Sequence, residues 1–186
     1  VPTESTQWFP ADHSDSSFEF SADKGAMFAI DVVSQRLGEP TDARLILERL
    51  EPQPSGPPKL HTVLNIDDCQ ALSDGVLNLF AKDPAGLFQA PAKADYRVTL
   101  RDLDQGRTLS QHQQFKLRIQ PPNPGFDLIA YRVYPHKDKN QSRPFGSKMF
   151  RGGAELIRVL ALRRDGWTGA IKIVAEGLPK GVSAQE

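Results

Sequence analysis

The run Asn65-Ile66-Asp67-Asp68 is the segment whose residue types and spacing best fit metal binding. On an extended chain, Asn65 and Asp67 lie on one side and Asp68 follows at the end of the run. Carboxylate and amide oxygens are the ligands of calcium, which takes about six to eight of them. Other loops offer further carboxylates at Asp42, Asp83 and Asp102. The pattern predicts a possible calcium site at Asn65, Asp67, Asp68 and Asp42, although aspartates in loops more commonly cap turns and end strands.

Four aromatic side chains are candidates for ligand binding: Trp8, Phe9, Tyr131 and Tyr134. An exposed tryptophan presents a flat apolar face, on which a sugar ring can stack, together with a polar N–H group. Trp8 is the best surface candidate, while Tyr131 and Tyr134 flank a predicted strand end. The alternative is core packing, because large aromatic residues beside turns usually fill the ends of a sandwich.

Catalytic motifs are missing from the sequence. It contains no G-x-S-x-G nucleophile elbow, no H-E-x-x-H, no phosphate-binding loop and no dinucleotide fingerprint. The histidines lie in four unrelated segments, at His13, His61, His112 and His136. The single cysteine, Cys69, allows neither an internal disulfide nor a C-x-x-C zinc site. We predict that the protein is not an enzyme, and a catalytic triad assembled only in three dimensions is the alternative.

Residues 134–151 carry a local excess of positive charge, in which Asp138 is the single acidic residue. Such a stretch could contact an anionic polysaccharide, a membrane surface or an acidic neighbouring domain. Loop-forming residues fill the spaces between the charges, which favours a solvated loop. No nucleic-acid-binding motif accompanies them, so we expect no nucleic-acid partner.

Hydrophobic and polar residues alternate along most of the chain with a period of two. The alternating apolar residues are Phe18 and Phe20; Phe28, Ile30 and Val32; Tyr96, Val98 and Leu100; and Phe115, Leu117 and Ile119. This period is typical of half-buried antiparallel strands, and turn-forming residues separate the runs. We therefore predict an all-β protein of two β-sandwich modules. No apolar stretch approaches the ~20 residues that cross a bilayer, so we expect no membrane insertion.

A proline-rich segment at residues 120–125 divides the chain. Proline has no N–H group to donate to a strand ladder, so an extended linker is expected there. The predicted domains are residues 1–120 and 121–186. The second should have about four strands, including the alternating Ile171 and Ile173, and is expected to be incomplete at the C-terminus because a sandwich usually needs ~100 residues. Residues 154–164 are rich in helix formers, but their alternation favours a strand.

Several motifs stand in a recognisable order: Phe18-x-Phe20-x-Ala22-x-x-Gly25, Ile30-x-Val32-x-Ser34-x-Arg36-Leu37-Gly38-x-Pro40-x-Asp42, Asp67-Asp68, Asp83-Pro84, Phe88-x-Ala90-Pro91, Tyr96-x-Val98-x-Leu100-x-Asp102 and Phe115-x-Leu117-x-Ile119. Over residues 15–120 this order resembles the bacterial pre-peptidase C-terminal (PPC) domain of large secreted Planctomycetes-type proteins. Three later motifs resemble the start of an immunoglobulin-like domain: Arg151-Gly152-Gly153, Arg163-Arg164-Asp165-Gly166-Trp167-x-Gly169-x-Ile171 and Gly177-Leu178-Pro179-x-Gly181-Val182.

The resemblance implies a jelly-roll-like sandwich followed by an immunoglobulin-like one, on a protein that is secreted, periplasmic or at the cell surface. Related modules are attached to exported enzymes, and some bind collagen, polysaccharide or calcium. We therefore predict a non-catalytic accessory or binding module of a larger exported bacterial protein. Its expected partners are an extracellular polysaccharide or protein polymer and neighbouring domains of the same polypeptide. The alternatives are a structural spacer or fold-assisting segment without a ligand and, more remotely, a cryptic hydrolase.

The charge of the chain agrees with this interpretation. Its 186 residues include 23 basic and 23 acidic ones, so the net charge is zero, whereas a general nucleic-acid binder has a basic excess. Residues 1–120 contain 17 acidic and 12 basic residues, and residues 121–186 contain 6 acidic and 11 basic ones. The neutrality is thus a cancellation between two oppositely charged parts, which favours contact between the predicted domains.

Overall fold

The computed structural model describes residues 3–10, 15–69, 76–77, 79, 81–104, 113–134, 137–138, 143–146 and 149–184. These residues contain one 3-10 turn, Gln35–Leu37, and no helix among them is long and apolar enough to cross a membrane. Their strands are β1 (Thr3–Trp8), β2 (Ser16–Ala22), β3 (Met27–Val33), β4 (Ala43–Glu51), β5 (Lys59–Ile66), β6 (Ala85–Gln89), β7 (Ala94–Asp102), β8 (Gln114–Gln120), β9 (Gly125–Tyr134), β10 (Arg143–Phe145) and β11 (Ile157–Arg164).

The described strands form three antiparallel sheets. The first has the order β1-β8-β3-β6, the second β2-β7-β4-β5 and the third β10-β9-β11. Side chains of the first two sheets share one hydrophobic core, as in a β-sandwich. The predicted all-β fold class is confirmed.

The core contains the residues that the period of two assigns to the inner faces. Phe18 is half-buried, and the others are buried: Phe20, Phe28, Ile30, Val32, Tyr96, Val98, Leu100, Phe115, Leu117 and Ile119. Successive side chains of a strand point to opposite faces, so the alternating residues of each strand fall on one face of its sheet. Burying one such side chain stabilises the fold by about 1.5–3 kcal/mol.

Two connections between the sheets define the two ends of this sandwich. The turn at Asp23-Lys24-Gly25 joins β2 to β3, and Gly25 accommodates a φ of 85° there. We call this end, which also holds the start of β7, the turn end. Residues 34–42 join β3 to β4 at the opposite end, which also holds the end of β5 and which we call the loop end. Trp8 lies at the loop end, because its strand partner Gln114 accepts a hydrogen bond from Ser34 Oγ at 2.6 Å.

A buried carboxylate holds the loop of residues 34–42 in place. Asp83 is fully buried and accepts hydrogen bonds from the backbone N–H groups of Ser34, Gln35 and Arg36 at 3.0, 2.7 and 2.9 Å. The Nε group of Arg36 donates a fourth hydrogen bond to Asp83 at 2.8 Å. Since this loop leads directly into β4, Asp83 also helps to position Asp42, the residue before that strand.

The third sheet follows the proline-rich segment. The strand expected within residues 154–164 is confirmed from residue 157 onward, where β11 begins and pairs with β9 along its length. The strand predicted from Ile171 and Ile173 is wrong: residues 165–184 form no strand, and none of the described strands pairs with them. The described part of residues 121–186 therefore has three strands rather than about four.

Candidate functional site

Three carboxylates meet at the loop end. Asp42 directly precedes β4, and Asp67 and Asp68 directly follow β5. These strands are antiparallel neighbours with Leu45 opposite Ile66, so the start of β4 lies beside the end of β5. One carboxylate oxygen from each aspartate lies within 4.8 Å of the other two. We call Asp42, Asp67 and Asp68 the carboxylate cluster; it contains three of the four residues predicted for a calcium site.

Lys82 places a positive charge against the carboxylate cluster. Its Nζ lies 2.5 Å from Asp42 Oδ2, and this hydrogen bond is the main reason that the pKa of Lys82 is raised. The pKa of Asp68 is also raised, first by burial and then by repulsion from Asp67 and Asp42. One ammonium group thus neutralises part of the charge of three carboxylates, and the remainder attracts cations.

The backbone of Asp42 is fixed by the end of β7. Asp102 Oδ1 accepts hydrogen bonds from the N–H groups of Asp42 at 2.9 Å and Asp104 at 3.2 Å, and Leu103 N–H donates to the Asp42 carbonyl at 2.7 Å. Asp102 is 8% exposed, and its Oδ2 is buried without a hydrogen-bond partner among the described residues. Asp102 therefore positions the cluster through the Asp42 backbone.

The other carboxylate and amide candidates have different partners. Asn65 Oδ1 accepts a hydrogen bond from Arg44 Nε at 2.9 Å, so this oxygen is engaged by a guanidinium group. The carboxylate oxygens of Asp83 accept hydrogen bonds from backbone N–H groups at the 3-10 turn. The carboxylate cluster can supply between three and six of the about six to eight oxygens that calcium needs, with the rest coming from the backbone or water. Calcium binding stays a prediction.

Trp8 and Phe9 have opposite environments, although they are neighbours in sequence. Trp8 is 54% exposed at the end of the edge strand β1, whereas Phe9 is 6% exposed. The Phe9 ring packs on Phe115 with a centroid distance of 4.6 Å. Phe9 was predicted to contact a ligand, but its ring belongs to the core, so only Trp8 of this pair offers an accessible aromatic face.

The predicted tyrosines lie on another sheet. Tyr131 is half-buried in β9 opposite Arg158, and Tyr134 ends β9, with a side chain outside the described residues. Trp8 belongs to the first sheet, so no common strand ladder joins these aromatic residues. Trp167 is half-buried against Phe126, with a centroid distance of 5.9 Å.

The histidine that the structure describes is hydrogen-bonded to a carboxylate. His61 Nε2 lies 2.5 Å from Glu51 Oε2 across the β4–β5 hairpin. Residues 135–136, 139–142 and 147–148 of the basic stretch lie outside the described residues, as do the remaining histidines, His13, His112 and His136. Cys69 is half-buried, and its N–H group donates to the Ala81 carbonyl at 3.1 Å, which holds the segment of Lys82 beside the carboxylate cluster.

Sequence reasoning missed two features of the sandwich. One is the set of hydrogen bonds around Asp83, since the motif Asp83-Pro84 does not indicate the distant loop that the carboxylate holds. The other is a groove at the turn end, which draws its residues from three separate segments. No short-range spacing could have indicated either feature.

Comparison of the chain with models of known protein families and with curated proteins found no match. The resemblance of residues 15–120 to the PPC domain, and of the later motifs to an immunoglobulin-like domain, stays a prediction that depends on the sequence motifs.

Proposed function

We propose that the chain is a non-catalytic binding module that docks a larger exported protein onto an extracellular polysaccharide or protein polymer. In this proposal residues 1–120 are a PPC-like sandwich and residues 121–186 an immunoglobulin-like one. The observation that carries the proposal is the exposed indole of Trp8, held on a strand whose backbone is fixed.

The environment of Trp8 supports a stacking role. Six residue pairs hold β1 against β8, and the buried ring of Phe9 anchors the chain directly after Trp8. An aromatic side chain on a fixed backbone loses little conformational entropy when a ligand stacks on it. Tryptophan also buries a large apolar area and keeps a polar N–H group for a hydroxyl.

The carboxylate cluster lies at the same end of the sandwich as Trp8. Its oxygens are hydrogen-bond acceptors for hydroxyl groups of a polymer, and calcium held there would offset the negative charge that Lys82 leaves and offer further coordination positions to oxygen atoms of the polymer. Its exposed members Asp67 and Asp68 are open to solvent and therefore to such a ligand.

Equilibrium sedimentation with insoluble cellulose, chitin and collagen tests this proposal. We expect saturable binding to at least one polymer, and Trp8→Ala should weaken it by about tenfold or more, because a buried aromatic contact is commonly worth more than 1 kcal/mol. Trp8→Phe should keep most of the affinity, since an aromatic face remains. Met27→Ala is the matched control, because Met27 is an exposed apolar residue of the same sheet at the turn end.

Two outcomes would count against the proposal. If none of the polymers retains the chain, with or without calcium, the function as a structural spacer is favoured. If Trp8→Ala binds as tightly as the unchanged chain, the indole is not the docking surface.

A further inference from the structure

A groove opens at the turn end, away from Trp8 and the carboxylate cluster. Its volume is about 800 Å³, which lies within the range of about 300–1,000 Å³ that is usual for small-molecule sites. The end of β2, the β4–β5 hairpin and the start of β7 form its walls. These segments come together because β2, β7 and β4 are consecutive strands of the second sheet.

The groove combines an apolar floor with a polar rim. The lining residues that are buried or half-buried are all apolar, namely Ala22, Leu50, Pro58 and Ala94. The side chains that carry polar groups are all exposed, namely Ser21, Asp23, Gln53, Lys93 and Asp95. A ligand that fits this arrangement has apolar faces and polar edges, as a pyranose ring has.

The charges of the rim are largely compensated within the groove. Lys93 Nζ lies 3.1 Å from Asp23 Oδ1, and Ser21 Oγ donates to Asp95 Oδ1 at 2.5 Å. A basic ligand would therefore find one carboxylate without a cationic partner in the groove, that of Asp95. An ion pair with this exposed group would add little affinity. Neutral hydroxyl groups gain more, because they can donate to the free carboxylate oxygens and accept from Lys93 and the Gln53 amide.

We propose that this groove binds a short stretch of a neutral polysaccharide chain. The inference rests on the proposed function, because it assigns a second subsite for a polymer of the class that Trp8 would contact. The two subsites lie at opposite ends of the sandwich, so a single chain could occupy both only by running along its side. Each subsite can therefore be measured separately with short oligosaccharides.

The test is a titration of the ¹⁵N-labelled full chain with neutral trisaccharides of glucose, mannose and N-acetylglucosamine, followed by amide chemical shifts. We expect saturable shifts at Ala22 and Ala94. Asp95→Ala should weaken this binding by about tenfold, since it removes a charged hydrogen-bond acceptor. Asp95→Asn keeps an acceptor for Ser21 and should lose less. Asp127→Ala, which changes an exposed aspartate of the third sheet, is the matched control and should bind as the unchanged chain does.

The outcomes separate this inference from the proposed function. Shifts at Ala22 and Ala94 that persist in Trp8→Ala and change little with salt support the groove as a site for a neutral ligand. If only the signals of Trp8 shift, the groove is not a saccharide site, whereas the proposed function still stands. A groove that responds only to a short basic peptide, and loses that response in Asp95→Asn and at high salt, overturns the saccharide assignment. No shift with any saccharide, together with no retention on any polymer, overturns both.

Discussion

Replacing Asp83 by alanine should be among the most destabilising single changes in the first two sheets. The side chain is fully buried and accepts four hydrogen bonds, three from the backbone N–H groups of residues 34–36 and one from Arg36 Nε. Removing one partner of a buried charged pair costs about 3–5 kcal/mol. Arg36 is 41% exposed and keeps its ion pair with Asp31, so we expect the lower end of this range, about 3 kcal/mol.

Urea unfolding followed by circular dichroism measures this loss. With a slope of about 2 kcal/mol per molar urea, the midpoint should fall by about 1.5 M. The urea midpoint of Asp83→Asn should lie between those of the unchanged chain and of Asp83→Ala. Its carbonyl oxygen still accepts from Ser34 and Gln35, but its amide would face the two donors of Arg36.

Asp23→Ala is the control, because Asp23 is an exposed aspartate whose ion pair with Lys93 should contribute less than about 0.5 kcal/mol. A loss below about 1 kcal/mol for both Asp83 variants would refute the argument that this carboxylate fixes the loop.

Three further predictions concern charge and packing. Calorimetric titration of the chelator-treated chain with calcium should give saturable heat that weakens as the pH falls and Asp68, whose pKa is raised, becomes protonated; absence of heat at pH 7 would contradict a calcium site. Two hydrogen bonds from Arg101 lower the pKa of Asp15. Asp15→Asn should therefore cost up to about 1 kcal/mol at pH 7, and the difference should vanish as the pH falls well below ~3.9; a difference that persists in acid would contradict this. Tyr96→Phe removes the hydrogen bond to the Ala92 carbonyl and should lower the free energy of unfolding by about 1 kcal/mol, and an unchanged midpoint would contradict it.

The fold of the first two sheets could be predicted because a local signal determines it. The alternation of Tyr96, Val98 and Leu100 with polar neighbours depends only on which face of a strand is buried, and it can be seen in any short stretch of the sequence. Ile171 and Ile173 show the same alternation without forming a strand, because a strand also needs a ladder partner. The presence of that partner is not encoded in the short stretch itself.

The candidate sites show the same limit. Asp67 and Asp68 could be placed at a strand end from local pattern, but their meeting with Asp42 depends on the pairing of β4 with β5. Lys82 lies beside the carboxylate cluster because the preceding residue, Ala81, pairs with Cys69 in an isolated β-bridge. No sequence motif indicates this pairing. Trp8 and Phe9 are both aromatic, so the sequence does not show which of them is buried. The structure shows that Phe9 belongs to the core, because its ring packs on Phe115, and that Trp8 is exposed.

The most direct test of the binding function is a pair of equilibrium isotherms, for the unchanged chain and for Trp8→Ala, on the insoluble polymer that retains the chain best. The account predicts a saturable isotherm for the unchanged chain and one about tenfold weaker for the variant. Coincident isotherms, or a failure of the unchanged chain to bind any of the polymers, would contradict it.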